Sequence, residues 1–222
     1  LTDEAVRFIE KNRSNRFFLY LPHYAVHSPW QAKEKLIRKY QDKAPSLGQD
    51  NATYAAMIES ADQGVGRIME TLKRLKLTDN TLVIFSSDNG GVKRITKMPP
   101  LRGGKGSLYE GGVRVPTCMR WPGVIKVGTK CDVPITSVDV LPTFAEIAHM
   151  PLPTSQPVDG VSFLPLLKGK TKLPRDTIFW HFPLYLSGAN VENYIPVAGG
   201  KAGEKTGWRQ TPAGSVRKGG WK

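Results

Sequence analysis

The sequence predicts an α/β fold: a mostly parallel sheet with helices on both faces, followed by the start of a small antiparallel C-terminal subdomain. Three observations lead there. Two runs of buried-strand residues, FFLYL at 17–21 and TLVIF at 81–85, flank a long segment of helical periodicity, the strand–helix–strand order of a parallel crossover. Both runs empty into irregular polar segments, as strands do at the carboxyl edge of an open sheet, where such folds place their ligands. The last forty residues hold eight glycines and few aliphatics, a composition for short antiparallel strands and loops.

Thr2 is read as the N-cap of a first helix, with Ala5, Phe8 and Ile9 on its apolar face and a basic end at 11–16. After the strand at 17–21 comes PHYAVHSPWQ, an irregular edge loop that holds His23 and His27 between prolines. A histidine there serves as a ligand, a proton donor or an anion contact, or else as a hydrogen-bonded structural imidazole. Residues 32–40 read as a short basic helix and 41–51 as a loop. Asn51-Ala52-Thr53 matches a glycosylation sequon, a motif short enough to arise by chance. From Tyr54 onward, Met57, Ile58, Ala61, Val65, Ile68 and Leu72 mark the buried face of the long crossover helix, whose C-terminal end carries Lys73, Arg74 and Lys76.

Beyond the turn at 77–80, the strand 81–85 runs into SSDNGG and delivers Asp88 and Asn89 to the sheet edge. If the crossover is parallel, His27 and this pair leave their strands at the same edge. A basic loop over 92–112 contains LRGGKGSLYEGG, in which Arg102 and Lys105 stand among glycines that permit close backbone approach to an anion. Its spacing departs from the P-loop pattern. Residues 113–120 read as a further strand, with Pro116 favouring an edge position. A WPG turn follows, then a helix opened by Thr136 or Ser137 and running through Ala148. Asp139 is read as a helix-terminal acid and His149 as a structural residue near the helix end. Residues 151–157 form a proline-rich connection, 163–167 a short helix, and 177–183 a strand and loop in which His181 follows an apolar run as His27 does.

With 222 residues and 40% hydrophobic content the chain can build one sizeable core, or an α/β domain at 1–170 with a partial subdomain at 171–222. Bulk disorder is excluded on composition, and no apolar run approaches the roughly 20 residues of a membrane span. The formal charge of +13 draws anionic partners or solvates the surface; the dispersal of the basic residues favours the second. No RNP, zinc-finger or helix-turn-helix pattern is present, so no specific nucleic-acid partner is expected. Cys118 and Cys131 lack metal-ligand spacing and are read as buried free thiols in preference to a disulfide. The first residue is Leu1, already within a helical pattern, and the chain is expected to be a C-terminal portion of something longer.

In family order, FFLYLPHYAVHSPWQA, ADQGVGRIMETL, NTLVIFSSDNGG, LRGGKGSLYEGGVRVP, the WPG turn, SVDVLPTFAEIA and DGVSFLPLL cover most of residues 1–185. Together they resemble the type I sulfatases of the alkaline phosphatase superfamily, particularly bacterial arylsulfatase A and N-acetylgalactosamine-6-sulfatase-like members. The resemblance implies an alkaline phosphatase-like fold and hydrolysis of a sulfate ester on a sulfated carbohydrate or aryl sulfate. It implies that Asp88 and Asn89 give oxygens to one divalent cation, calcium as a rule, that Lys105 binds the sulfate, and that His27 contacts it or its leaving oxygen. Arg102 would organise the loop, and His181 lies where such enzymes meet the rest of the substrate. The family nucleophile is a formylglycine made from Cys or Ser in C/S-x-P-S-R; TCMRW and KCDVP do not match it and no serine version occurs. Nucleophile and completing aspartates are therefore expected upstream, in a missing N-terminal part, and this chain alone is expected to be inactive. Periplasmic or extracellular location follows from the resemblance, which leaves oligomeric state open. The alternatives are a phosphoester or phosphonate hydrolase of the same superfamily and a non-catalytic module that binds anionic glycans.

Overall fold

The computed structural model describes residues 1–187, 195–196 and 207–222, with the strand residues 187, 195–196 and 207–210 described by backbone alone. Two compact units divide the chain, and neither is contiguous in sequence. The first comprises Leu1–Ile84, Gly91–Pro100 and Met119–Pro122; the second comprises Phe85–Gly90, Leu101–Cys118 and Gly123–Lys222.

Three helices build the first unit: α1 (Thr2–Lys11), α2 (Glu34–Gln41) and α3 (Ala52–Arg74). Their packing follows from the apolar stripe of α3, which buries Ala56, Met57 and Leu72, against which α1 sets Ala5 and Ile9. Arg67 reaches Asp3 at 2.6 Å and Arg74 pairs with Glu10, tying the polar flank of α3 to α1. Helix α3 opens on Asn51, whose side-chain Oδ1 accepts from Tyr54 N at 2.9 Å. The sequon asparagine is thus an N-cap. Helix α1 begins one residue earlier than expected: Thr2 is its first helical residue, and Leu1 in the N-cap position offers no side-chain oxygen.

The expected strand at 17–21 does not form, and with it the expected crossover is not assembled among the described residues. Phe17, Leu19 and Leu21 are half-buried while Phe18 and Tyr20 are exposed, so the period-two pattern is present without a ladder. A strand needs a ladder to a neighbouring strand, and residues 17–21 belong to none of the sheets formed among the described residues. The 81–85 run does pair, as β1 (Val83–Phe85), with β2 (Cys118–Arg120) in a two-stranded sheet; the expected strand at 113–120 is reduced to its last three residues, after Pro116.

In the second unit, a short helix α4 (Glu110–Val113) interrupts the glycine-rich loop. A 3-10 turn at Ser137–Asp139 leads into α5 (Val140–Ile147), and α6 (Leu164–Leu167) packs on it. Phe163, Leu164, Thr143 and Asp139 form the buried centre. The antiparallel subdomain is present as expected. Strand β3 (Thr177–Phe182) pairs antiparallel with β7 (Ala213–Lys218), from Thr177 opposite Lys218 to Phe182 opposite Ala213. β4 (Leu186–Ser187), β5 (Ile195–Pro196) and β6 (Gly207–Gln210) form a second antiparallel sheet in the order β4-β6-β5.

Candidate active site

Asp88, Asn89, Arg102, Lys105 and His181 all belong to the second unit; His27 belongs to the first. Two backbone hydrogen bonds organise the second-unit group. Gly90 N donates to Gly112 O at 2.9 Å, and Gly111 N donates to Arg102 O at 2.7 Å. The glycine pair at the start of α4 therefore carries the acid–amide segment on one side and the Arg102–Lys105 segment on the other. Such an approach leaves no room for side chains. A Cβ on Gly112 would lie 2.0 Å from Ser107 O, and one on Gly90 1.7 Å from Gly111 O.

Lys105 occupies the second position of a turn in which Ser107 N donates to Gly104 O at 3.1 Å. Gly106 follows at φ 84°, the left-handed value that the third position of a type II turn requires. Ser107 Oγ closes the turn with a 2.9 Å bond to Gly104 O. The turn thus fixes the backbone around a half-buried lysine whose ammonium makes no hydrogen bond or ion pair among the described residues. Arg102 is committed: its guanidinium lies over the Tyr109 ring, 4.1 Å from the centroid.

Asp88 is exposed and Asn89 half-buried. The Asn89 amide NH2 donates to Asp88 Oδ2, and Ser87 Oγ donates to Asn89 O at 3.1 Å. Asp88 Oδ1 and Asn89 Oδ1 accept no hydrogen bond among the described residues, and no Lys or Arg there forms an ion pair with Asp88. Two uncommitted oxygens, one anionic and one neutral, are of the kind a hard cation takes, and such a cation needs about 6–8 of them, more than these two residues offer. Among the described residues no group of three or more His, Cys, Asp or Glu is placed to hold a metal.

His27 is exposed on its loop. Its backbone N donates to Tyr24 O at 2.8 Å, and its Nδ1 lies 2.9 Å from Ser28 O. A carbonyl only accepts, so Nδ1 carries the proton and Nε2 is the nitrogen turned to solvent. His23 has the opposite arrangement, its Nδ1 accepting from Ala25 N at 3.0 Å. His181 stands exposed on β3 opposite Gly214, and its imidazole makes no hydrogen bond to the site residues.

Sequence reasoning missed Glu110. Its carboxylate, at the first position of α4, takes Arg217 Nη1 and Lys222 Nζ at 3.0 Å each. Burial raises its pKa, but the Lys222 hydrogen bond and the charges of Lys222, Arg217 and Arg114 outweigh that and hold the carboxyl below the usual range. The acid just before the EGG glycines was the only signal, and its partners lie more than a hundred residues downstream. Asp139 is the helix-terminal acid expected, fully buried, capping with Thr136 and held by Arg175 at 2.6 and 2.7 Å. Cys118 and Cys131 are free as expected, but both are exposed where burial was expected. Cys118 lies on the outward side of β2, whose alternation leaves only Met119 half-buried.

A family model described as Sulfatase matches residues 1–150 of the chain. The chain belongs to the sulfatase family. A second sulfatase model, described as N-sulphoglucosamine sulphohydrolase, C-terminal, matches residues 104–201. A sulfatase of Formosa agariphila is 40% identical over 214 residues, an alignment covering 88% of this chain and 38% of that protein. Human steryl-sulfatase is 34% identical over 191 residues, covering 82% of this chain and 31% of its own length. The solved structure of Ps i-CgsB in complex with k-i-k-neocarrahexaose superposes with a TM-score of 0.75 at 35% identity, over 81% of this chain and 40% of that one. This sulfatase chain thus spans about a third of the length of the curated relatives it matches, and the sulfatase fold expected of it is supported at that level.

Proposed function

We propose that this chain supplies part of the active site of a sulfatase that hydrolyses sulfate esters on sulfated sugars. The observation that carries the reading is the Gly111–Gly112 support, which joins the Asp88–Asn89 segment to the Lys105 turn, where neither ionic group has a charged partner among the described residues. A carboxylate and an ammonium left open in one compact unit suit a cation and an oxyanion respectively.

In this reading Asp88 and Asn89 give two oxygens to a calcium ion, which when bound supplies fixed positive charge for the sulfate oxygens. Lys105 binds a non-bridging sulfate oxygen, and its turn fixes the backbone from which the ammonium reaches the ester as charge develops there. The family resemblance alone gives His27 contact with the sulfate or its leaving oxygen; with Nδ1–H engaged by Ser28 O, any proton it gave there would leave from Nε2. Arg102, fixed over Tyr109, keeps the turn in register, and His181 meets the sugar beyond the scissile bond. The nucleophile, a formylglycine, and the remaining metal ligands come from sequence upstream of this chain, as does the rest of a mostly parallel sheet to which residues 17–21 would add. The sugar assignment draws on the N-sulphoglucosamine sulphohydrolase model and the hexaose-bound neighbour; human steryl-sulfatase marks the alternative of a non-sugar sulfate.

A form of the protein extended upstream to the length of its relatives, assayed side by side on sulfated oligosaccharides and the matching phosphate esters, tests the class. Faster release of sulfate is expected. Preferential release of phosphate would move the chain to the phosphoester hydrolases, and retained binding with no release of either would make it a glycan-binding module.

A further inference from the structure

Gly111 and Gly112 carry both halves of the candidate site, yet neither has a side chain by which its own position could be fixed. The nearest handle is Glu110, the residue before them. Its carboxylate is three-quarters buried and receives Arg217 and Lys222 at 3.0 Å each, with Arg114 at 4.0 Å one turn along. Those partners are themselves anchored. Arg217 sits on β7, opposite Ile178 in the β3–β7 ladder, and the Lys222 ammonium lies 4.9 Å from the centroid of Trp180 on β3. The ladder, the ion pairs, Glu110 and the glycine pair thus form a continuous connection ending at Gly90 on one side and Arg102 on the other.

We propose that Glu110 is a positioning residue for the sulfate site: anchored to β7 by Arg217 and Lys222, it holds Gly111–Gly112 where Gly90 and Arg102 dock. Asp88–Asn89 and Lys105 are thereby kept in register by an acid that need not touch substrate. The functional meaning of this rests on the sulfatase reading; the mechanical claim does not. The carboxylate works through direction as well as charge, since two donors from β7 and the C-terminal residues converge on Oε1. The neighbouring pair Lys218–Asp176, on the same strand but exposed, offers a control that does not reach the glycines.

Amide hydrogen exchange on the 222-residue chain, resolved by residue, tests the proposal without turnover. In Glu110→Ala and Arg217→Ala, the Gly90 and Gly111 amides should exchange about tenfold faster or more, while Ile178 on β3 and Leu72 on α3 keep their protection. Asp176→Ala should leave Gly90 and Gly111 as in the parent. Should Glu110→Ala fail to fold, Glu110→Gln, which keeps the size but removes the charge that Arg217 and Lys222 pair with, should speed exchange at the same two amides severalfold. Unchanged exchange at Gly90 and Gly111, or loss of protection spread evenly over the whole chain, would overturn the positioning role. Because no activity is read, either result leaves the sulfatase assignment to its own assay.

Discussion

Asp139 and Glu110 both sit at helix starts and both are held by arginine, but burial gives them different consequences. Asp139 is wholly buried, its carboxylate receiving Arg175 and the backbone N–H groups of Thr136 and Val161 at 2.8 and 2.9 Å. Asp139→Ala strands a half-buried guanidinium and two amides, a loss of about 3–5 kcal/mol for a broken buried pair, read as a large fall in the urea midpoint. Asp176→Ala, which breaks an exposed pair, should change that midpoint little; equal shifts would contradict the assignment of Asp139 as the centre of the second unit's core. Glu110 adds a pH dependence. Its folded-state pKa lies below its ordinary value of 4.5, so its contribution is present above that pH and is lost as pH falls through the folded value. Glu110→Gln should therefore flatten the acid limb of stability against pH; an unchanged limb would show that other carboxylates set it. The helix-terminal role of Asp139 was legible in its local sequence, because capping is a short-range pattern. Arg175, 36 residues away, was not, because only the tertiary fold brings it there.

Among the elements, legibility tracked how far each depends on distant partners. Helix α3 carries its own hydrogen bonds and a repeated apolar stripe over 23 residues, and the sequence located it within two residues of its start. The 17–21 run has a strand's composition but cannot supply its own ladder, so composition alone could not say whether it would pair. The glycine loop fell between these cases. Its glycines marked close approach, and that is what Gly90, Gly111 and Gly112 provide, but the short helix α4 inside it was not anticipated. Substituting Gly112→Ala sets a methyl group 2.0 Å from a backbone oxygen, which must move. The expected cost is at the upper end of the range of about 0.5–3 kcal/mol seen for single substitutions. Loosening should be concentrated at Gly90, Gly104 and Gly111 in amide exchange. Gly123→Ala, at a turn with open space around it, should leave those amides alone despite its φ of 81°; loosening by both would argue that the loop is globally fragile.

At the scale of the whole molecule, sequence gave the family and the order of its motifs, whereas the two interleaved units could be read only from contacts between distant segments. The formal charge of +13 is the excess left once every acid is counted, so pairs such as Lys39–Glu59, Arg67–Asp3 and Arg175–Asp139 do not reduce it. Lys105 is one of the basic residues left without a hydrogen bond or ion pair among the described residues, and it stands in a turn whose backbone is fixed on both sides. The central claim is that this lysine belongs to a sulfate-ester site, with Asp88 contributing to the cation beside it. The most direct measurement is sulfate release from a sulfated oligosaccharide by the upstream-extended protein and its Lys105→Ala form. Loss of one preorganised charge in such a site predicts a fall in kcat/KM of about 100-fold to 1000-fold, with the urea midpoint unchanged. Full activity in Lys105→Ala would contradict the account, whatever the protein's family.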